Sequence, residues 1–128
     1  MGQRDRQMRP VSIPQQEYGY LIPRELIDAV VKGIVDRFSP KKIILFGSYG
    51  GEGSPTPDSD LDLLVIMPSD LPAHKRSVQM QLLFRPMPCA MDIFVFTPEE
   101  MEKWNGVTNH MVTQALKGGI IVYEETRD

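Results

Sequence analysis

The sequence predicts an α/β domain: a small sheet of about four strands flanked by helices. Four short apolar runs have the length of strands, and segments with helical spacing or helix caps lie between them. Strands that alternate with helices in this way are typical of α/β folds. The 128 residues are enough for one domain with a modest core but not for two.

Composition narrows the class of protein. Charged residues make up 24% of the chain and apolar residues 41%, as in ordinary soluble domains. A net charge of −3 argues against bulk nucleic-acid binding. The lone cysteine, Cys89, permits no internal disulfide, and no apolar run has the length of a membrane span or a signal-peptide core. We therefore expect a cytoplasmic domain with no membrane partner.

The amino-terminal part should differ from the rest. Residues 1–22 carry arginines, glutamines and prolines without apolar periodicity, so we expect a flexible tail there and a domain over residues 23–128. Tyr18 and Tyr20 lie close to the start of this domain. They are expected to pack against it.

The first helix and the first strand are predicted from spacing. Pro23 suits a first helical position, and Ser39-Pro40 ends the helix. Between them an apolar stripe has helical periodicity, with members Leu26, Ile27, Val30, Val31, Ile34, Val35 and Phe38. Residues 41–46 follow as a strand that is apolar on both faces, which is typical of a central position.

Caps and breakers predict the later elements. We expect a strand over 60–67, a helix from a cap at Ser69 or Asp70 to Phe84, and a strand over 90–96. In that helix Val78, Leu82 and Leu83 should face inward.

The carboxyl-terminal elements follow the same logic. Thr97-Pro98-Glu99-Glu100 is a complete capping box for a short helix that ends at Asn105-Gly106. Thr108 can cap a last helix, and a short strand over 120–123 closes the fold.

The most informative stretch joins the first two strands. A glycine-rich turn begins at Gly47-Ser48, and the next strand opens with Asp60 and Asp62. Side chains two apart on a strand share a face, so these carboxylates should point together while Leu61 and Leu63 face the core. Two carboxylates about 5 Å apart repel by roughly 3 kcal/mol at an effective dielectric near 20. A bound Mg²⁺ would convert that repulsion into affinity.

Other site types fit the stretch poorly. An EF-hand loop that starts at Asp58 would need glycine where Leu63 stands and glutamate where Ser69 stands. The turn carries no Gly-Lys-Ser/Thr of a phosphate-binding loop and no Gly-x-Gly-x-x-Gly of a dinucleotide fold. His74, His110 and Cys89 have no zinc-ligand spacing.

Gly47-Ser48, eleven residues, and then Asp60-Leu-Asp62-Leu resembles the signature of the nucleotidyltransferase fold shared with DNA polymerase β. In particular, the chain resembles the minimal nucleotidyltransferases (MNT proteins) that are often partnered with HEPN-domain proteins. This resemblance covers roughly residues 24–123 and implies a small mixed sheet flanked by helices. The family also carries a third acid on a neighbouring strand, for which Asp92 in an apolar run is the candidate. An ion pair with Arg76 or Arg85 is the alternative role for Asp92.

The resemblance also implies an activity and its cofactors. Asp60, Asp62 and Asp92 would be the catalytic and metal-binding residues of a two-Mg²⁺ site, and Gly47 and Ser48 would bind an NTP such as ATP. The reaction would transfer AMP to a hydroxyl of a partner protein. That partner would be a HEPN-type toxin, and the chain its antitoxin.

One departure keeps a second hypothesis open. Many relatives read Gly-Ser-Tyr-Ala-Arg-Gly in the turn, whereas this chain has Gly51 in place of the arginine and a loop about one residue longer. Lys75 and Arg76 are candidates to replace the lost cation, the alternative being that both lie on a solvated helix face. The alternative function is a non-catalytic nucleotide-binding module that neutralises or regulates a partner by contact.

Overall fold

The computed structural model describes residues 13–51 and 53–126. The first helix within these residues, α1, is Arg24–Phe38. Pro23, in an extended conformation, precedes the helix, and Ser39 ends it at φ 50°, in the left-handed region. The predicted apolar stripe faces the core: Leu26, Ile27, Val30, Val31 and Ile34 are buried. The opposite face carries exposed i,i+4 ion pairs such as Lys32–Asp36.

Four strands form one mixed sheet. They are β1 (Lys42–Phe46), β2 (Leu61–Ile66), β3 (Met91–Phe96) and β4 (Ile120–Glu124), and their order across the sheet is β3-β2-β1-β4. β1 is antiparallel to both β2 and β4, whereas β2 and β3 are parallel. The predicted fold class and the central position of β1 are confirmed.

Three further helices connect the strands. They are α2 (Ala73–Gln81), α3 (Pro98–Trp104) and α4 (Met111–Gly118), and a short 3-10 turn spans Gly47–Tyr49. The capping box at Thr97 forms as predicted, with Thr97 Oγ1 accepting from the Glu100 N–H and Glu100 Oε1 accepting from the Thr97 N–H.

The prediction for α2 was wrong in two respects. The helix begins after Pro72, without a side-chain cap from Ser69 or Asp70, and ends at Gln81 rather than Phe84. Its inward face is also different, since Val78 and Leu82 are exposed and Met80 is buried. Leu83 is buried as predicted, with Phe84, in the turns that follow the helix.

The cap of α4 also differs from the prediction. His110, not Thr108, precedes the helix, and its Nδ1 accepts a hydrogen bond from the Val112 N–H at 3.1 Å. The His110 ring stacks on Trp104 with centroids 4.2 Å apart. These contacts give His110 a structural role.

The sheet separates two apolar clusters. The larger one packs α1 against odd-numbered strand positions such as Leu63 and Ile93. The smaller one contains Ile44, Leu64 and Ile66, together with Ala115 of α4. Because side chains alternate along a strand, the even-numbered positions 62 and 92 belong to this second face.

Residues 13–22 lie on the domain. Ile13 packs against the larger cluster, and Ile22 is buried in it. Tyr18 and Tyr20 are exposed, so the expectation that they pack was wrong. Residues 1–12 of the expected tail lie outside the described part, and the domain boundary at residue 22 stays a prediction. Over residues 13–51 and 53–126, none of the helices has the length and apolar character needed to cross a bilayer.

Candidate active site

Three chain segments meet at one end of the sheet. β1 ends at Phe46, and the parallel strands β2 and β3 both begin at this end. Phe46 lies opposite Asp62 in the antiparallel ladder. The glycine turn that follows β1 therefore starts beside the first residues of β2.

Asp62 and Asp92 are direct neighbours across the sheet. They pair in the parallel register of β2 and β3, so both side chains leave the same face. Adjacent strands lie about 4.8 Å apart. The two carboxylates predicted from separate segments are thus brought together. Asp62 is partly buried and Asp92 is exposed.

Electrostatics connect Asp60 to this pair. Burial raises the pKa of Asp62 to about 6, and repulsion from Asp92 and then from Asp60 adds to the effect. Asp60 stands one residue before β2 and is exposed. Asp92 and Asp60 are therefore both close enough to Asp62 to disfavour its negative charge.

Gly47 lies directly against the Asp62 carboxylate. Its φ of +74° is in the left-handed region, and a Cβ at this position would overlap Asp62 Oδ2. The glycine therefore permits both the turn and the close approach of backbone to carboxylate. This contact places the start of the predicted phosphate-binding turn beside the acid pair.

The rest of the turn folds back on itself. Ser48 is the second residue of the 3-10 turn, and the Gly50 N–H donates to the Gly47 carbonyl at 2.9 Å. A Cβ at Gly53 would overlap the Ser48 carbonyl. The loop is compact because these positions are glycines, and a side chain there would clash with the loop backbone.

Gly51, the position that departs from the relatives, is anchored by its backbone. Its N–H donates to the Gly118 carbonyl at 3.2 Å, which ties the loop to the end of α4. A Cβ there would meet its neighbours at 3.4 Å or more, an ordinary contact distance. Space is therefore not the reason for glycine at this position.

Arg76 takes neither of the roles considered for it. Its side chain is 9% exposed, and its guanidinium lies 2.7 Å from Glu100 Oε1. The guanidinium also donates to the carbonyls of Leu71 and Val95. Val95 is at the opposite end of β3 from Asp92, about 10 Å along the strand. Arg76 therefore neither pairs with Asp92 nor replaces the missing cation beside the turn. Lys75 is exposed on α2.

The chemistry of the donors bears on whether the site suits a divalent cation. The donors are oxygen atoms, and the pKa of Asp62 is raised by burial and then by repulsion from Asp92 and Asp60, a repulsion that a cation would relieve. In this respect the residues fit Mg²⁺. Among residues 13–51 and 53–126, however, no three His, Cys, Asp or Glu side chains are gathered at metal-holding geometry. Bringing the carboxylates to ligand distance requires side-chain adjustment.

Sequence reasoning missed two neighbours of the site. The Tyr49 hydroxyl accepts a hydrogen bond from the Ile22 N–H at 3.0 Å, which links the glycine turn to the amino-terminal segment. Cys89, just before β3, has its pKa raised to about 11 by burial and by Asp60. A thiol with so high a pKa is a poor nucleophile. Neither contact is visible in the sequence, because both depend on segments distant in the chain.

Comparison with known protein families shows which family the chain belongs to. The profile described as "Nucleotidyltransferase domain" matches residues 27–126, more than three quarters of the chain. The chain belongs to this nucleotidyltransferase family. Comparisons with curated proteins and with solved structures found no match.

Membership agrees with the fold and with the resemblance of the signature. The four-stranded mixed sheet with flanking helices is that of the polymerase β-like nucleotidyltransferase superfamily. The matched region contains the glycine turn and all three carboxylates. Transfer of a nucleotidyl group is therefore the general activity that this nucleotidyltransferase domain supports.

Proposed function

We propose that this nucleotidyltransferase domain transfers AMP from ATP to a hydroxyl of a partner protein in a Mg²⁺-dependent reaction. The observation that carries the proposal is the contact of Gly47 with Asp62, which itself lies opposite Asp92. A phosphate-binding turn and a set of carboxylates are needed side by side for this chemistry. Here they are adjacent.

The site residues have distinct roles in the proposed reaction. The backbone of Gly47 and the hydroxyl and amide of Ser48 bind the triphosphate, because the turn exposes polar groups without side-chain bulk. The acceptor oxygen attacks the α-phosphorus, the bond from that phosphorus to the oxygen bridging to the β-phosphate breaks, and pyrophosphate leaves. Asp92 orients the acceptor hydroxyl and receives its proton. Asp60 and Asp62 would hold the cation.

Bound Mg²⁺ would supply charge stabilisation for the entering and leaving oxygens. Asp60, Asp62 and Asp92 are the residues that would hold it. Positioning and electrostatics are the protein's main contributions to phosphoryl chemistry, so the relative placement of the turn and the acids matters most.

The biological role rests on the resemblance of the signature to MNT proteins. We propose that the acceptor is a HEPN-type toxin and that this chain is its antitoxin.

The second candidate is a non-catalytic module that binds nucleotide and neutralises its partner by contact. Gly51 favours it, since the arginine of many relatives is absent and Arg76 is engaged elsewhere. In that case the partner would be inhibited with no covalent change.

Label transfer separates the two candidates. The chain is incubated with α-³²P-ATP, Mg²⁺ and a co-purified HEPN-type partner, and the partner is examined for label. We expect transfer by the wild type and a loss of at least about 100-fold in Asp60→Ala and Asp62→Ala. Asp36→Ala, on the exposed face of α1, is the matched control. Transfer that survives both site substitutions rejects the enzyme hypothesis, whereas neutralisation without transfer supports the contact hypothesis.

A further inference from the structure

The amino-terminal segment, residues 13–22, touches all three chain segments that carry the candidate site residues. We propose that this segment holds the glycine turn and the starts of β2 and β3 in register, and that Gln16 is a positioning residue for catalysis. The catalytic half of this inference rests on the nucleotidyl transfer proposed above. The holding half does not.

Gln16 joins the approaches to the two acid-bearing strands. Its backbone N–H donates to the Pro88 carbonyl at 2.7 Å, four residues before Asp92. Its side-chain Nε2 donates to the Pro57 carbonyl at 3.2 Å, three residues before Asp60. One residue thus connects the segment that leads to Asp60 and Asp62 with the segment that leads to Asp92.

The third connection runs to the glycine turn. Ile22 is 4% exposed, and its N–H donates to the Tyr49 hydroxyl at 3.0 Å. The Tyr49 ring itself packs against the larger apolar cluster. Since Tyr49 follows Ser48 directly, this bond fixes the turn relative to the same segment that carries Gln16.

The segment is itself shaped for this role. At its two ends, Ile13 packs against the larger apolar cluster and Ile22 is buried in it. Between them, the Tyr20 N–H donates to the Glu17 carbonyl at 3.1 Å in a turn that Gly19 enters at φ +84°. The side-chain Nε2 of Gln16 also donates to the Tyr20 carbonyl at 2.7 Å. This bond connects the Gln16 side chain to the end of the turn. The apolar ends secure the segment, and the polar middle contacts the loops.

The expected effect of a Gln16 substitution on the free energy of folding is much smaller than its expected effect on the catalytic rate. One neutral hydrogen bond contributes about 1 kcal/mol to folding, so a single Gln16 substitution should leave the domain folded. A displacement of about 1 Å at a reacting group can slow catalysis by about 100-fold. Small changes in these loops should therefore affect turnover more than melting temperature.

The test uses the full chain with the substitutions Gln16→Ala and Gln16→Glu. The second keeps the size of the side chain but removes its N–H donor, and both keep the backbone N–H. Gln79→Ala, on an exposed site of α2, is the matched control. Hydrogen–deuterium exchange is followed at residues 47–51, 57–61 and 88–92 and compared with α1. We expect about tenfold faster exchange over 57–61 in both Gln16 variants, because both lose the side-chain donor to the Pro57 carbonyl. Exchange over 88–92 should change less, because the Gln16 backbone N–H that donates to Pro88 remains. We expect no change in α1 or in Gln79→Ala.

Kinetics of transfer from α-³²P-ATP complete the test. We expect kcat to fall at least about tenfold in the Gln16 variants, with KM for ATP changed less than about twofold and the melting temperature nearly unchanged. Tyr49→Phe, which removes only the hydroxyl, should speed exchange over 47–51 alone and keeps the test valid if Gln16 variants do not fold.

Each outcome is decisive. Unchanged exchange in the Gln16 variants, or in Tyr49→Phe if those variants do not fold, overturns the holding role whatever the activity. Faster exchange with an unchanged kcat overturns the positioning role. If the wild type transfers no nucleotide, the proposed function fails together with the catalytic half of the inference, and the exchange data still decide the holding half.

Discussion

Asp62 combines partial burial with two acidic neighbours, so its charge is unfavourable in the folded domain. The pKa of about 6 lies above its ordinary value of 3.8, which means that the native state holds the proton more tightly than the unfolded chain does. The stabilisation from the protonated group is complete below about pH 4. It is lost as the pH rises through about 6.

The upward shift of the Asp62 pKa leads to the first prediction. In metal-free buffer at pH 7.5, Asp62→Asn should be more stable than the wild type by about 1 kcal/mol, a value reduced for solvent screening. Thermal unfolding should show a melting temperature higher by several degrees. Near pH 3 the difference should vanish, because Asp62 is then protonated in both states. A stability difference between Asp62→Asn and the wild type that is the same at pH 7.5 and pH 3 would contradict the raised pKa of Asp62.

The second prediction concerns Gly47. Gly47→Ala should lower stability by about 2–3 kcal/mol, because it combines a left-handed backbone with overlap against Asp62. Gly106→Ala is the control, since Gly106 has φ +85° but a Cβ added there would meet no atom within 4 Å. That control should lose only about 1 kcal/mol in urea unfolding. Equal losses would show that the close approach at Gly47 has no effect.

At the level of elements, Arg76 ties three parts of the fold together. It lies on α2, pairs with Glu100 of α3 and donates to the end of β3 at Val95. Its hydrogen bond lowers the pKa of Glu100. The associated stability is therefore present above the ordinary pKa of a glutamate and is lost as the pH falls through the lowered value.

The third prediction compares two arginines. Arg76→Ala should destabilise the domain by about 2–3 kcal/mol, because Glu100 and the Val95 carbonyl would lose a largely buried partner. Arg24→Ala removes the exposed pair with Asp28, whose side chains are 81% and 66% exposed, and should change stability by less than about 0.5 kcal/mol. Chemical denaturation of both variants provides the measurement. Similar losses would argue against a structural role for Arg76.

For the whole molecule, ligand binding should appear as stabilisation of the native state. Mg²⁺ with a non-hydrolysable ATP analogue at about 100 times its Kd should add about 2.7 kcal/mol to the free energy of unfolding and raise the melting temperature. Asp62→Ala should lose this response, whereas Asp36→Ala should keep it. An unchanged melting curve for the wild type would count against an intact nucleotide site, although the fold itself would stand.

Much of this protein could be predicted from the sequence because the deciding interactions are local. The stripe of α1 and the capping box at Thr97 depend on residues within a few positions of one another, and both formed as predicted. The placement of the turn beside the acids was expected from the resemblance of Gly47-Ser48 and Asp60-Leu-Asp62 to the nucleotidyltransferase signature. Their use in catalysis stays a prediction.

Only the tertiary structure decided the remaining features, because each depends on contacts between distant segments. Helix α2 turns Met80 inward rather than Val78 because its neighbours in space, not its own periodicity, set the buried side. The parallel register that sets Asp62 opposite Asp92 and the bonds of Gln16 to Pro57 and Pro88 likewise join residues far apart in the chain. Residue types specified the available chemistry, and packing determined which groups meet.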